Sequence, residues 1–389
     1  MSIRKWALRL WMLPLAASMV VATPTLLYSA PNTFNSFSQQ NLVSDIPGLA
    51  AWTDPNLVNP WGVSFSPTSP FWVSDNGTGL ATLYNSTGTP LSLVVTIPPP
   101  MGSTGTAAPD GQVFNPNPAN FGGAHFIFAT EDGTISSWQG SNGTNAVLNV
   151  DNSGANSVFK GLALATIGSN SYLYATDFRN GTVDVFDTNF NKVTLGGSFT
   201  DPSLPAGYAP FNIESFGGKL YVTFAVQDAA KHDDVAGPGH GILDVFNTDG
   251  TFVQRLVSHG ALNSPWGLAV APAGFGPFSG DLLVGNFGDG TVNVFNPNTG
   301  AWIAQLDDSK GNPIVNQGLW AITFGNGVGA GSTQKLYFTA GIPGPNGNVE
   351  DNGLFGVIAA TPEPGTLTLL GTGLVSLIGY GRRKGKRTA

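Results

Sequence analysis

The sequence predicts an all-β fold, a six-bladed β-propeller built from four-stranded antiparallel blades, and three observations predict it. The composition is the first: 52 Gly and 28 Pro among 389 residues, with 10% charged, leaves few helix-forming Glu and Lys and suits short strands joined by tight turns. The second is a repeat. Asn59-Pro60-Trp61-Gly62-Val63 returns as Ser264-Pro265-Trp266-Gly267-Leu268, with weaker copies at Lys160-Gly161-Leu162-Ala163, Pro210-Phe211-Asn212-Ile213 and Gly318-Leu319-Trp320-Ala321-Ile322. The third is a second apolar run, seen six times: Phe71–Asp75, Phe126–Thr130, Leu173–Asp177, Leu220–Thr223, Leu282–Asn286 and Leu336–Thr339. Six units of about fifty residues, each with room for four strands, give a propeller; a solenoid would need capping repeats.

Taken in order, residues 1–30 have the parts of a secretory signal helix outside the fold. Arg4, Lys5 and Arg9 precede an apolar stretch from Leu10 to Val21, and small residues offer cleavage after Ala22 or Ala30. The stretch falls short of the ~20 residues that a permanent span requires.

Residues 31–360 form the propeller. Phe37-Ser38-Gln39-Gln40-Asn41-Leu42-Val43 precedes the first repeat and is expected to supply the outer strand of the last blade, closing the ring. Within the blades, Asp132-Gly133, Asn180-Gly181 and Asp289-Gly290 stand before third strands and are expected to make type I′ turns. Alternating Val and Phe after them predict one buried face, and the repeated Trp61, Trp266 and Trp320 predict packing between blades.

Two places carry candidate chemistry. The segment 227–240 lengthens a turn in the fourth blade and holds Asp228, His232, Asp233, Asp234 and His240, side chains that suit a divalent cation or another ligand. The same side chains equally suit a solvated loop that satisfies its own backbone, and their spacing matches no fixed metal motif. The second place is the axis. Asn59, Asn212, Asn263 and Asn316 stand at or beside inner-strand starts and Glu214 lies on one, which suits an oxygen-lined axial site; Asx turns explain the repeated Asn as well.

The body is acidic. With the terminal clusters set aside, 8 basic residues face 24 acidic ones, a net charge of about −16, which argues against nucleic acid as a partner. The absence of Cys excludes disulfides and thiol catalysis, and no Gly-x-Ser-x-Gly elbow, phosphate loop or His-Glu-x-x-His helix is present.

Residues 361–389 form a tail with three parts: Pro362-Glu363-Pro364, an apolar run from Leu367 to Tyr380, and the basic Arg382-Arg383-Lys384. In this order they resemble a PEP-CTERM sorting tail. The resemblance implies recognition by an exosortase, a transient membrane insertion through the C-terminal helix, and delivery to the cell envelope or beyond. The basic end after an apolar run fits that topology. The body resembles NHL and YVTN-type propellers. More closely it is similar to exported bacterial propellers with the same tail, through Asn41-Leu42-Val43-Ser44-Asp45, Asp54 to Gly62, and Lys231-His232-Asp233-Asp234-Val235-Ala236-Gly237. Six-bladed lactonases of the gluconolactonase type hold a calcium in the axial place, which makes calcium the candidate axial ion here, with no position matching their ligands residue by residue.

These observations lead to an exported surface or extracellular-matrix β-propeller acting as a non-enzymatic binding or structural protein, its partner an extracellular polysaccharide or a surface protein. The alternative is a divalent-metal-dependent lactonase- or esterase-like hydrolase, with its ion at the axis or under the 227–240 loop. Whether the chain is an enzyme stays open on sequence alone.

Overall fold

Six antiparallel sheets follow one another along the chain in the computed structural model, which describes residues 35–361. Their inner strands are Pro60–Ser64, Pro109–Phe114, Phe159–Ile167, Tyr208–Phe216, Pro265–Val270 and Leu319–Phe324. In blades 1 to 5 the chain runs outward through four strands in sequence order. Each inner strand lies against the inner strands of the neighbouring blades, so the six close into a ring.

The last blade is completed by the start of the chain. Phe37–Ser44 pairs antiparallel with Leu354–Ala360, from Phe37 opposite Ala360 to Ser44 opposite Leu354, and a short strand, Trp52–Thr53, adds in parallel beyond it. The predicted closure is therefore observed. Phe37, Leu42 and Val43 are buried in it, which ties the two ends of the propeller together through apolar contact as well as backbone bonds.

Every inner strand carries a register shift close to its start. The extra residue tightens the local twist and falls at one repeat position, held by Trp61, Asp110, Lys160, Phe211, Trp266 and Trp320. The next residue is Gly in four blades because the following inner strand leaves no space. A Cβ on Gly62 would lie 2.3 Å from the Asp110 carbonyl oxygen, and one on Gly161 2.3 Å from Asn212 Oδ1.

The turns into the third strands differ from expectation. Gly133, Gly181 and Gly290 have positive φ, but Asp132, Asn180 and Asp289 do not, so these are not type I′ turns. The loops are three to five residues long and close through Gly133 N to Thr130 O, Gly181 N to Asp177 O and Gly290 N to Asn286 O. One left-handed glycine after a right-handed turn reverses the chain in a longer loop, where a two-residue turn would need two positive φ angles.

Apolar side chains from facing sheets fill the spaces between blades, and a separate cluster fills the axis. No α-helix occurs among the described residues, and none there is long and apolar enough to cross a membrane. The expected signal segment, the C-terminal apolar helix, and the sorting residues Pro362, Glu363, Pro364, Arg382, Arg383 and Lys384 lie outside the described residues.

Candidate functional site

The ring position decides what stands at the axis. Trp61 and Trp320 stack with centroids 3.3 Å apart, and Trp266 meets both edge-on at 5.9 and 6.0 Å. Phe211 and Phe287 pack on Trp320, and the cluster is buried. The three repeat tryptophans thus pack on one another at the axis, a more central place than packing between neighbouring blades. Large flat rings close the channel that six converging strands would otherwise leave.

The remaining two ring residues, Asp110 and Lys160, are ionisable. Lys160 is 1% exposed, and its Nζ lies 4.8 Å from the centre of the Trp61 ring. The ammonium donates to Glu131 Oε1 and, at 3.4 Å, to Asp233 Oδ1. Burial works against its charge, but Glu131 and Asp233 outweigh that penalty and hold the ammonium above the usual lysine range. Asp110 is pushed well above the carboxylate range by burial and by Glu131.

Turns between second and third strands bring one group from every blade to this place. Blade 1 supplies Asn76, whose Nδ2 donates to Glu131 Oε2 at 2.8 Å; blade 2 supplies Glu131 itself. Blade 3 lays the Phe178 ring 5.9 Å from Lys160 Nζ, and blade 4 brings His232 and Asp233. Blade 5 stacks Phe287 on Trp320, and blade 6 sets Glu350 against Asn59 Nδ2 at 3.3 Å. Burial raises Glu350 to about 7, with Glu131 adding to the shift.

The 227–240 loop divides its candidates. His232 Nδ1 lies 2.9 Å from Asp233 Oδ1. That hydrogen bond raises the imidazole pKa and, with Lys160, lowers the Asp233 carboxyl to about 2. Asp228 Oδ1 accepts the backbone N–H groups of His232 and Asp233, and His240 Nδ1 lies 2.8 Å from the Val235 carbonyl, so both serve the loop's own backbone. Asp234 is raised by burial to about 6, and its Oδ2 has no partner. Glu131, His232 and Asp233 offer donor atoms within 4.8 Å of one another, a geometry a divalent ion can use, but the Lys160 ammonium already bonds both carboxylates.

The five axial candidates do not converge on one point, although Asn212 and Glu214 line the same cavity. Asn59 alone joins the cluster: its Oδ1 accepts from Trp320 Nε1 at 3.0 Å while its Nδ2 donates to Asn76 and Glu350. Asn212 Nδ2 donates to the Trp266 carbonyl, Asn263 Oδ1 accepts from Gly237 N, and Asn316 exchanges two hydrogen bonds with Gln39. Glu214 lies farther along its inner strand, in a cavity of about 440 Å³ lined by all six inner strands. The physical reason is the repeat itself. Asn263 stands one residue earlier than Asn59, whose place before Pro is taken in blade 5 by Ser264, and both Asn59 and Ser264 have φ +46°.

Sequence reading missed Glu131, Asp110 and Glu350 as members of the cluster, and saw Lys160 only as a repeat anchor. A signal existed. Asp110-Gly111 and Lys160-Gly161 align with Trp61-Gly62, and a charged residue at a position otherwise aromatic marks a departure from packing.

Residues 360–387 match the model of the PEP-CTERM protein-sorting motif. Over 291 residues, 72% of this chain and 76% of the relative, the chain is 36% identical to "Uncharacterized protein L690" of Acanthamoeba polyphaga mimivirus. It is 34% identical to "Uncharacterized protein R648" of the same virus over 294 residues, 72% and 71% of the two chains. Among solved structures, a streptogramin B lyase overlays 84% of this chain with 98% of its own, at a TM-score of 0.49 and 12% identity.

Proposed function

Since the chain belongs to the family of the mimivirus proteins L690 and R648 and ends in a PEP-CTERM sorting motif, we propose that it is an exported, surface-directed β-propeller that works by binding rather than by catalysis. In this reading residues 1–30 are removed on export, 31–360 are the working body, and an exosortase processes 361–389. The ligand, an extracellular polysaccharide or a surface protein, docks on the face where the turns of six blades surround Lys160.

One observation carries the reading: the Lys160 ammonium is shared by Glu131 and Asp233. The charge that a metal would supply comes from the chain, and the groups are held rigidly by Asn76, Asn59 and the indole stack. Such a face offers fixed donors and acceptors to hydroxyl groups or to a peptide. The Glu131, His232 and Asp233 grouping favours a second reading, a divalent-metal hydrolase, if an ion displaces the ammonium.

Thermal melting of the full-length protein after chelation separates the two, with calcium, magnesium, manganese or zinc returned in turn. An ion at a hundredfold excess over its Kd adds ~2.7 kcal/mol, which a melt resolves. The binding reading expects no ion-specific rise, and expects the cells' own surface polysaccharide or surface proteins to bind and to lose affinity in His232→Ala. A single-ion rise that disappears in Asp233→Ala overturns it and directs assays to lactones and esters.

A further inference from the structure

We propose that the axial cavity around Glu214 is a binding site for a small organic cation, a primary ammonium group on a ring-sized apolar body. The cavity lies away from the Lys160 cluster, along the later residues of the inner strands, and has a volume of about 440 Å³. Its origin is visible in the repeat. Three residues after the ring position the other five blades carry Ser64, Val113, Ala163, Ala269 and Thr323, and all five line the cavity. Their modest size leaves the space, and blade 4 alone sets a carboxyl into it.

No other titratable side chain lines the cavity, and among the described residues no hydrogen bond or ion pair engages the Glu214 carboxyl. Burial accordingly raises it to about 8. Residues of the lining also carry polar atoms that have no partner. Gln112, 6% exposed, is fixed through Nε2 to the carbonyls of Gly62 and Trp72, both at 2.7 Å, which leaves its Oε1 unpaired. Ser64 Oγ is unpaired as well.

A lone carboxyl with no counter-charge beside it calls for a donor of single positive charge. A calcium ion wants six to eight oxygens at about 2.3–2.6 Å, and the lining supplies a single carboxyl beside neutral Ser, Thr, amide and apolar side chains. An anion meets only repulsion. An ammonium supplies the missing counter-charge and up to three N–H donors, and the apolar wall takes the hydrocarbon. The acidic body adds attraction for cations at a distance.

The test is calorimetric titration of the full chain with benzylammonium, benzyl alcohol and calcium, in wild type, Glu214→Gln and Ala269→Leu. Benzylammonium is expected to bind wild type at least tenfold more tightly than benzyl alcohol and to weaken at least tenfold in Glu214→Gln. Ala269→Leu, which fills the cavity without touching its charge, is expected to abolish binding while circular dichroism stays native. Failure of benzylammonium to bind wild type at millimolar concentration overturns the proposal. So does equal binding of the alcohol, binding of calcium in its place, or amine binding that survives a folded Glu214→Gln or Ala269→Leu. If Glu214→Gln does not fold, the wild-type comparison of amine with alcohol and the Ala269→Leu result decide alone.

Discussion

Replacing Lys160 by Met tests the ion cluster most directly. The substitution keeps an unbranched apolar side chain at the ring position and removes the ammonium that faces Trp61, Phe178 and the two carboxylates. Asp233 is largely exposed, so its loss of a partner costs little. Glu131 is 12% exposed and loses its counter-ion, the situation that costs about 3–5 kcal/mol when one member of a buried pair is removed. A body of roughly 330 residues, at about 2.1 cal/mol/K per residue, has a melting entropy of roughly 0.7 kcal/mol/K, so the expected fall in Tm is roughly 4–7 °C.

The pH dependence has a definite sign. In wild type the Asp233 carboxyl, held at about 2, contributes stability that is lost as pH falls towards that value. The variant lacks the part of that effect that comes from Lys160, so the gap between variant and wild type narrows on acidification. Lys160→Met combined with Glu131→Gln removes both charges and is expected to recover most of the loss. Scanning calorimetry at pH 7 and pH 4 reads all of this. A single variant within about 1 °C of wild type at pH 7, or a double variant melting no higher than the single, refutes the reasoning.

Two further outcomes are expected. Glu214, with a folded pKa of about 8 against about 4.3 unfolded, makes wild type lose stability as pH rises from the lower value through the higher. Glu214→Gln is therefore expected to match wild type at pH 4 and to exceed it by on the order of 2–4 kcal/mol at pH 9 in amine-free buffer, measured by denaturant unfolding. Gly161→Ala drives a methyl into Asn212 of the next blade and is expected to cost about 1–3 kcal/mol in the same assay, whereas Gly154→Ala, with open space around it, is expected to stay within about 0.5 kcal/mol.

The sequence by itself determined the architecture and the address. Tight turns and apolar runs repeat often enough along the chain that local chemistry specifies each strand, and a ring of six is what equal units with paired ends produce. Phe37 to Val43 could be read as the closing strand because it precedes the first repeat and belongs to no unit of its own. The tail is legible for a related reason: Pro362-Glu363-Pro364, the apolar run and the basic end work as a linear signal. The candidate site was only half legible. His232 and Asp233 stand out as an unusual loop, but nothing local says that Glu131, about a hundred residues away, meets them through Lys160. That contact depends on the blade-to-blade rotation, which carries the same turn of every unit to one end of the axis. Similarly, Asn59, Asn212 and Asn316 all stand near inner-strand starts but at different offsets from the ring position, so they bond the preceding blade, the next blade and their own blade respectively. Electrostatic pairing and cavity shape are sums over distant neighbours, so they were decided only when the ring closed.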